Sequence, residues 1–235
     1  MFRHKGKTRN LIHNIRIASL LSFVAGIVNV VGILAVQKLT TNVTGHFAFM
    51  VEQAISFHFN QAIFYFIYIF FFLFGAFFSN FIIEITQKFT NKDIFIIPVL
   101  IESLLLMSIA LLNFNFIVAN PNLIACSLLF AMGLQNSLVT TISNSVVRTT
   151  HLTGLFTDLG IEISQLFFYK TEEQRTKLFS SIKLRITIIS TFFIGGILAG
   201  LFFSTYKMKT LLIASLILII GLFVDYINVK LDEKE

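Results

Sequence analysis

Six long apolar runs constrain what this chain can fold into more than any other feature of its sequence. A helix needs roughly 20 apolar residues to cross the hydrocarbon core of a bilayer. The strands of a membrane barrel alternate apolar and polar residues over about ten positions, whereas a stretch such as FIYIFFFLFGAFFSNFII does not alternate. The sequence therefore predicts an all-α, polytopic membrane protein with six transmembrane helices. They are expected at residues 15–36, 61–85, 94–113, 122–142, 183–205 and 210–228.

The composition favours lipid as the surroundings of most of the chain. Hydrophobic residues make up 56% of the sequence and charged residues 13%, against about 25% charged residues in soluble domains. A single soluble core of this size cannot bury so much apolar surface. The lysines and arginines lie between the apolar runs and are not spread as a nucleic-acid surface would be, so we expect a lipid bilayer and no nucleic acid as a partner.

The positive charges predict how the chain is oriented. If the N-terminus is cytoplasmic, 15 of the 18 basic residues fall on the cytoplasmic side, and only Lys38, Lys207 and Lys209 fall outside. Cytoplasmic loops carry such an excess of lysine and arginine. We therefore expect a multi-pass protein of the bacterial inner membrane with both termini in the cytoplasm.

Two segments, residues 44–58 and 153–168, are too short and too polar to span comfortably. Each begins with Thr-Gly, and Thr44 and Thr153 are predicted to be N-caps whose side chains accept a free amide of the first helical turn. We expect two short helices that either lie along the interface or dip partway into the membrane. An eight-span alternative, in which both cross fully, would place Lys88 and Lys92 outside, which the charge pattern disfavours.

An internal repeat organises the chain. TTNVTGHF, residues 40–47, and TTHLTGLF, residues 149–156, share five of eight positions; AGIVN precedes the first and MGLQN the second. FGAFFS in the second run also matches GGILAG in the fifth. The single transmembrane domain, residues 1–235, therefore divides into repeat one (about 15–113) and repeat two (about 122–228). Because each has three spans, the second would insert upside down relative to the first, as in many secondary transporters; the alternative is that small residues recur by chance at helix contacts.

These same regions carry a family resemblance. SFVAGIVNVVGILAV with TTNVTGHFAFMVEQAI, and FAMGLQNSLVTTI with RTTHLTGLFTDLGIEI, resemble the two signature regions of the YoaK family of bacterial membrane proteins. The sequence departs where the family commonly has aspartate and this chain has Asn29, and where it has asparagine and this chain has His46. The resemblance implies a multi-span bacterial inner-membrane protein and supplies no established substrate or reaction.

Glu102 is the sharpest single candidate for chemistry, since it lies in the middle of the third run with no basic residue beside it. An ionised acid at mid-bilayer costs at least about 2.5 kcal/mol, so it needs a partner, a water cavity or a proton. One interpretation is a proton or cation site facing the bundle interior. The other is a protonated acid that bonds across a helix contact, with Ser103 or a neighbouring amide.

Other polar residues in or beside the runs complete the candidate pathway. Intramembrane amides often only join helices, but Asn29 and Asn136 occupy matching places in the two repeats and would then line a shared site. The amides at the Thr-Gly turns would attract anions if the short helices dip inward, and a histidine there could sense pH. The candidate substrate or pathway residues are Asn29, Thr44, Gly45, His46, Glu102, Gln135, Asn136, Thr153 and Gly154.

The sequence shows no nucleophile–base pair, phosphate-binding glycine loop or metal triad, so we predict no catalytic residues, no metal, no cofactor and no enzymatic activity. The favoured function is a secondary transporter or permease of a small polar or anionic solute. The alternative is a non-transporting membrane scaffold or regulator. A homo-oligomer is compatible with either.

Overall fold

The structure, a computed structural model, describes residues 9–89 and 94–232 of the 235-residue chain. Within those ranges the chain is helical between short connections and contains no β-strand. The basic residues Arg3, Lys5, Lys7, Lys92 and Lys234, which enter the orientation prediction, lie outside the described ranges. The helices are α1 Leu11–Val36, α2 Val43–Ile55, α3 Phe59–Phe89, α4 Ile96–Leu111, α5 Phe114–Ala119, α6 Pro121–Ser143, α7 Leu152–Gln165, α8 Glu172–Tyr206 and α9 Leu211–Asp232.

The apolar runs coincide with α1, α3, α4, α6, α8 and α9. In the part of the chain that the structure describes, four helical segments are long and apolar enough to cross a membrane: α1, α3, α6 and the continuous stretch Glu172–Ile227, which holds α8 and most of α9 around a 3-10 turn. The remaining apolar helix, α4, is shorter at 16 residues. Long apolar helices of this kind indicate a membrane protein.

Helix α8 begins earlier than the apolar pattern alone suggests. The mixed-charge stretch from Tyr169 to Lys177 has the composition of a solvated loop, yet the helix already starts at Glu172. Thr171 caps it by accepting a hydrogen bond from the Gln174 amide, and the acids of the first turn lie at the positive end of the helix dipole. The charged turns extend α8 beyond its apolar part.

The two short helices are present, but their caps differ from the prediction. Helix α2 starts at Val43, and the Asn42 side chain accepts from the Gly45 amide at 2.9 Å. Helix α7 starts at Leu152 with His151 at the cap position and no side-chain cap bond. Thr44 and Thr153 are therefore not N-caps: each helix begins one residue before its threonine, which is left inside the first turn and exposed.

The main helix pairs join the two halves of the chain. Helix α1 packs along α8, α3 along α6, and α4 along α9, while α2 packs on α3 and α7 packs on α8. Likewise α1 contacts α9, and α6 contacts α4. Each of these contacts therefore has a counterpart in the other half or joins equivalent helices, and the halves interlock.

Glycines allow the helices of the two most extensive contacts, α1–α8 and α3–α6, to approach closely. Gly26 and Gly195 lie between α1 and α8, and Gly75 and Gly133 lie between α3 and α6. A Cβ at any of the four would collide with a phenylalanine carbonyl of the opposite helix. Small residues let membrane helices approach backbone to backbone. The carbonyls belong to Phe192, Phe23, Phe130 and Phe72, in the order of the glycines named.

Contacts along the helices give their relative directions. Phe23 lies against Gly195 while Val30, further along α1, lies against Gly196 and Gly200, so α1 and α8 run parallel. Similarly, Tyr68 bonds to Asn122 and Thr141 bonds to Asn80, so α3 and α6 run parallel.

Helix α9 runs antiparallel to α1. Gly221 lies against Leu20, and Asp225 interacts electrostatically with Arg9 just before α1. The end of α9 therefore lies beside the start of α1, and the two described ends of the chain meet at the same end of the bundle.

Candidate functional site

In each half, an asparagine–threonine hydrogen bond fixes the connection that follows the first long helix. These connections, residues 37–42 after α1 and residues 144–151 after α6, are here called the first and second break. Thr41 Oγ1 donates to Asn29 Oδ1 at 2.8 Å, and Thr150 Oγ1 donates to Asn136 Oδ1 at 2.9 Å. Asn136 also donates from Nδ2 to the Met132 carbonyl at 2.9 Å. The structure thus gives the two predicted amides the same local role, and each bonds within its own half.

Neighbouring polar groups tie the same breaks to the long helices. Thr40 donates to the Val28 carbonyl at 3.1 Å. Gln135 donates from Nε2 to the Leu21 carbonyl at 2.9 Å and to Thr149 Oγ1 at 3.1 Å, which links α6, α1 and the second break. Gln135 Oε1 is buried and has no hydrogen-bond partner among the described residues. Gln135 therefore couples the two halves near the centre of the bundle.

Glu102 is fully buried on α4. Neither carboxyl oxygen has a hydrogen-bond partner within 9–89 and 94–232. Ser103 does not supply one, because it pairs with α9: Ser103 Oγ donates to the Ser215 carbonyl at 3.0 Å and Ser215 Oγ donates to the Ser103 carbonyl at 2.9 Å. The bond to Ser103 considered from the sequence is therefore absent, and the carboxyl lies unpartnered beside the α4–α9 contact.

His46 is the centre of a ring cluster at the first break. It is buried, and its Nε2 lies 2.6 Å from the Leu39 carbonyl, while Nδ1 is buried without a partner in the described chain. A carbonyl only accepts, so we assign the ring proton to Nε2. Burial lowers the pKa of His46 below its usual value, against the opposing effect of the Leu39 bond. The imidazole is therefore neutral at pH 7.

Aromatic rings and one cation surround this histidine. Its ring centroid lies 5.9 Å from that of Tyr65 and 5.2 Å from that of Tyr68. Lys38 Nζ lies 5.2 Å from the Tyr65 centroid and 5.9 Å from the Tyr68 centroid, within cation–π range. Beside them is a cavity of about 480 Å³, here called the α2 cavity, lined by Ile33, Gln37, Lys38, Leu39, His46, Phe49 and Tyr65.

The second break carries charges where the first carries rings. Arg185 on α8 pairs with Asp158 at 2.9 Å and with Glu162 at 2.8 Å, both on α7. Ser181 also donates to Glu162. A cavity of about 390 Å³, here called the α7 cavity, lies there; its polar lining is Ser145, Arg148, His151, Asp158, Ser181 and Arg185.

The two cavities occupy equivalent places in the two halves. In the alignment of TTNVTGHF with TTHLTGLF, His46 corresponds to Leu155 and Phe49 to Asp158. Aligning Gly75 with Gly195, as their matching helix contacts support, pairs Tyr65 with Arg185. Each of these six residues lines its own cavity.

The predicted site residues lie in several separate places. His46 lines the α2 cavity and Gly154 the α7 cavity. Gly45, beside Leu39, donates its amide to the cap, and Thr44 and Thr153 are exposed. The two asparagines and Gln135 anchor the breaks, and Glu102 stands apart on α4.

Sequence reasoning did not single out Lys38, Tyr65 or Arg185 as site residues. An alignment of the two halves that extends past the repeated phrase to α3 and α8 pairs Tyr65 with Arg185 and would have indicated both residues. Among the described residues no group of three or more His, Cys, Asp or Glu side chains is placed to hold a metal ion.

Most of the chain matches one protein-family model. No curated protein and no solved structure gave a match. A family model matches residues 17–224, which run from within α1 to within α9 and include both breaks and both cavities. The chain therefore belongs to the family described as "Protein of unknown function (DUF1275)".

Proposed function

We propose that the protein is a small-solute secondary transporter of the bacterial inner membrane, with six transmembrane helices arranged as two inverted three-helix repeats. The resemblance to the YoaK family is part of this proposal. The transporter class is favoured because inverted repeats with broken helices are a common plan of secondary transporters.

The parallel course of α1 and α8 is the observation that carries the proposal. In each half the second long helix runs opposite to the first, because the end of the first lies near the beginning of the second: Lys38 contacts Tyr65, and Ser145 and Arg185 line one cavity. A second half inserted in the same direction as the first would therefore place α8 antiparallel to α1. The parallel pair, and its counterpart α3 with α6, support halves of opposite orientation.

The orientation follows from the positive-inside pattern. With both termini cytoplasmic, the α2 cavity opens on the outer side and the α7 cavity on the cytoplasmic side. Lys38, Lys207 and Lys209 are then outside, whereas Arg148, Lys170 and the start of α8 are inside. Equivalent cavities at opposite ends suit alternating access, in which one end opens while the other is closed.

In this proposal Glu102 carries the coupling proton. A buried carboxyl with two unpartnered oxygens is costly when ionised, so it holds a proton in the closed state and releases it only when an opening admits water. Glu102→Gln keeps the shape and removes the titration.

The test uses proteoliposomes with a trapped pH indicator and a panel of small organic acids, amines and polyols. We expect the wild type to couple proton movement to at least one solute and Glu102→Gln to lose that coupling by tenfold or more while its thermal midpoint is unchanged. Glu52→Gln, at an exposed position of α2, is the matched control and should retain it. Retained pH-dependent flux in Glu102→Gln would remove Glu102 from the mechanism.

A non-transporting scaffold remains the second candidate, because of how tightly the long helices pack. Four glycines allow α1 to pack closely on α8 and α3 on α6, and none of Asn29, Asn136 and Glu102 lines the α2 or α7 cavity. A scaffold predicts that no solute in the panel moves and that none changes hydrogen exchange at the breaks. A transporter predicts both effects for its substrate.

A further inference from the structure

We infer that the α2 cavity binds a small organic anion that carries a flat apolar group, such as an aromatic carboxylate. The inference rests on the proposed function, because it names the class of substrate at the outer entrance. It concerns binding, however, and can be tested without any measurement of transport.

Lys38 supplies the charge. It is half-buried at the cavity wall and forms no ion pair with any residue of 9–89 or 94–232, and its Nζ lies over the faces of Tyr65 and Tyr68. No aspartate or glutamate lines the cavity. A carboxylate entering it would therefore meet an ammonium without an acidic partner, and in a partly apolar cavity that attraction is stronger than in water.

The rest of the lining suits a flat apolar group. Phe49 and Tyr65 have ring centroids 5.4 Å apart and form one wall, with Ile33 and Leu39 also lining the cavity. His46 is neutral and adds no charge. The volume of about 480 Å³ lies within the range of small-molecule sites, which are mostly apolar with a few placed polar groups.

The equivalent cavity shows why the anion belongs at α2. In the α7 cavity, Arg185 is already paired with Asp158 and Glu162, and the other cation of the lining, the exposed Arg148, shares the cavity with Asp158. The residues of α2 that correspond to these acids are Phe49 and Gln53, which are neutral. The first half therefore has a cation, Lys38, in a cavity with neutral residues at the positions where the second half has the acids that neutralise Arg185.

The experiment measures binding of four probes to the purified full-length protein by titration calorimetry. Benzoate combines a charge with a ring, acetate has the charge alone, benzyl alcohol has the ring alone, and benzylammonium reverses the charge. We expect benzoate to bind at least tenfold tighter than each of the other three.

Variants assign the binding to the cavity. Lys38→Met is expected to weaken benzoate binding tenfold or more, whereas Lys38→Arg stays within a few-fold and Tyr65→Leu weakens it to a smaller extent. Lys209→Met is the control, since Lys209 is an exposed lysine outside this cavity. A thermal midpoint within two degrees of the wild type shows that a variant is folded.

Benzoate binding that is unchanged in folded Lys38→Met, tighter binding of benzylammonium, or no binding of any probe would overturn the inference. Benzoate flux in proteoliposomes separates this inference from the proposed function. If benzoate binding depends on Lys38 but benzoate is not transported, the site is supported and transport of this class of solute is not. If benzoate is transported equally by the wild type and Lys38→Met, transport is supported and the site is overturned.

Discussion

A buried histidine distinguishes the first break from the second, because the residue equivalent to His46 is Leu155. Burial lowers the pKa of His46 in the folded protein below the usual 6.5. The neutral ring is therefore compatible with folding, while the unfolded chain takes up a proton more readily. Its contribution to stability is fully present above pH 6.5 and is lost as the pH falls through the lowered pKa.

We predict that His46→Leu flattens this pH dependence. Below the folded pKa of His46 the proton is bound in both the folded and the unfolded protein. Between the folded and unfolded pKa values, the free energy of unfolding falls by up to about 1.4 kcal/mol for each unit by which the pH is lowered. Thermal midpoints in detergent from pH 7.5 to 4.5 would measure it. The wild type should lose more stability than His46→Leu over that range; parallel curves would show that His46 does not titrate on unfolding.

The sequence predicted several polar residues of the breaks but not their bonds. Asn29 and Asn136 stand out because amides are rare in apolar runs, and the structure explains them through Thr41 and Thr150. Which threonine each would bond depends on the turn after the helix, which periodicity does not report. The ring contacts of Lys38 are likewise a property of tertiary packing.

At the scale of helices, the four glycines between α1 and α8 and between α3 and α6 leave no room for a Cβ atom. A Cβ at Gly133 would meet the Phe72 carbonyl on α3, whereas a Cβ at Gly160 on α7 meets nothing within 4 Å. We predict that Gly133→Ala loses on the order of 1–3 kcal/mol through overpacking. Gly160→Ala should be neutral or gain up to about 1 kcal/mol from helix propensity.

Thermal midpoints of the two alanine variants measured side by side test this. Both replace a helical glycine with the same residue, so any difference reports packing and not propensity. Equal midpoints would mean that α3 and α6 do not approach as closely as described here.

The positions of the long helices were predictable because length and apolarity decide them. The helix ends were less predictable. Helix α8 begins with charged turns that Thr171 caps, and α2 and α7 each begin one residue before the expected threonine. The short helix α5 has only six residues, too few for an apolar period to show. Caps and single turns depend on local hydrogen bonds, which composition does not encode.

At the scale of the whole molecule, the main helix contacts join the first half of the chain to the second. Helix α1 of one half packs on α8 of the other, and α3 packs on α6, so neither half forms its main contacts alone. The sequence could indicate a repeat through matching residues. It could not show which helix of one half meets which of the other, since that depends on contacts distant in the chain.

The central claim, that the two halves insert in opposite directions, is tested most directly by cysteine accessibility. Cys126 is the only cysteine and is buried, so a Cys126→Ala background leaves no competing thiol. Ser56 and Lys170 are exposed and lie in equivalent links, each between a short helix and the long helix that follows it. In intact cells we predict that a membrane-impermeant maleimide labels Ser56→Cys and reaches Lys170→Cys only after permeabilisation. Labelling of both from the same side would contradict the inverted arrangement.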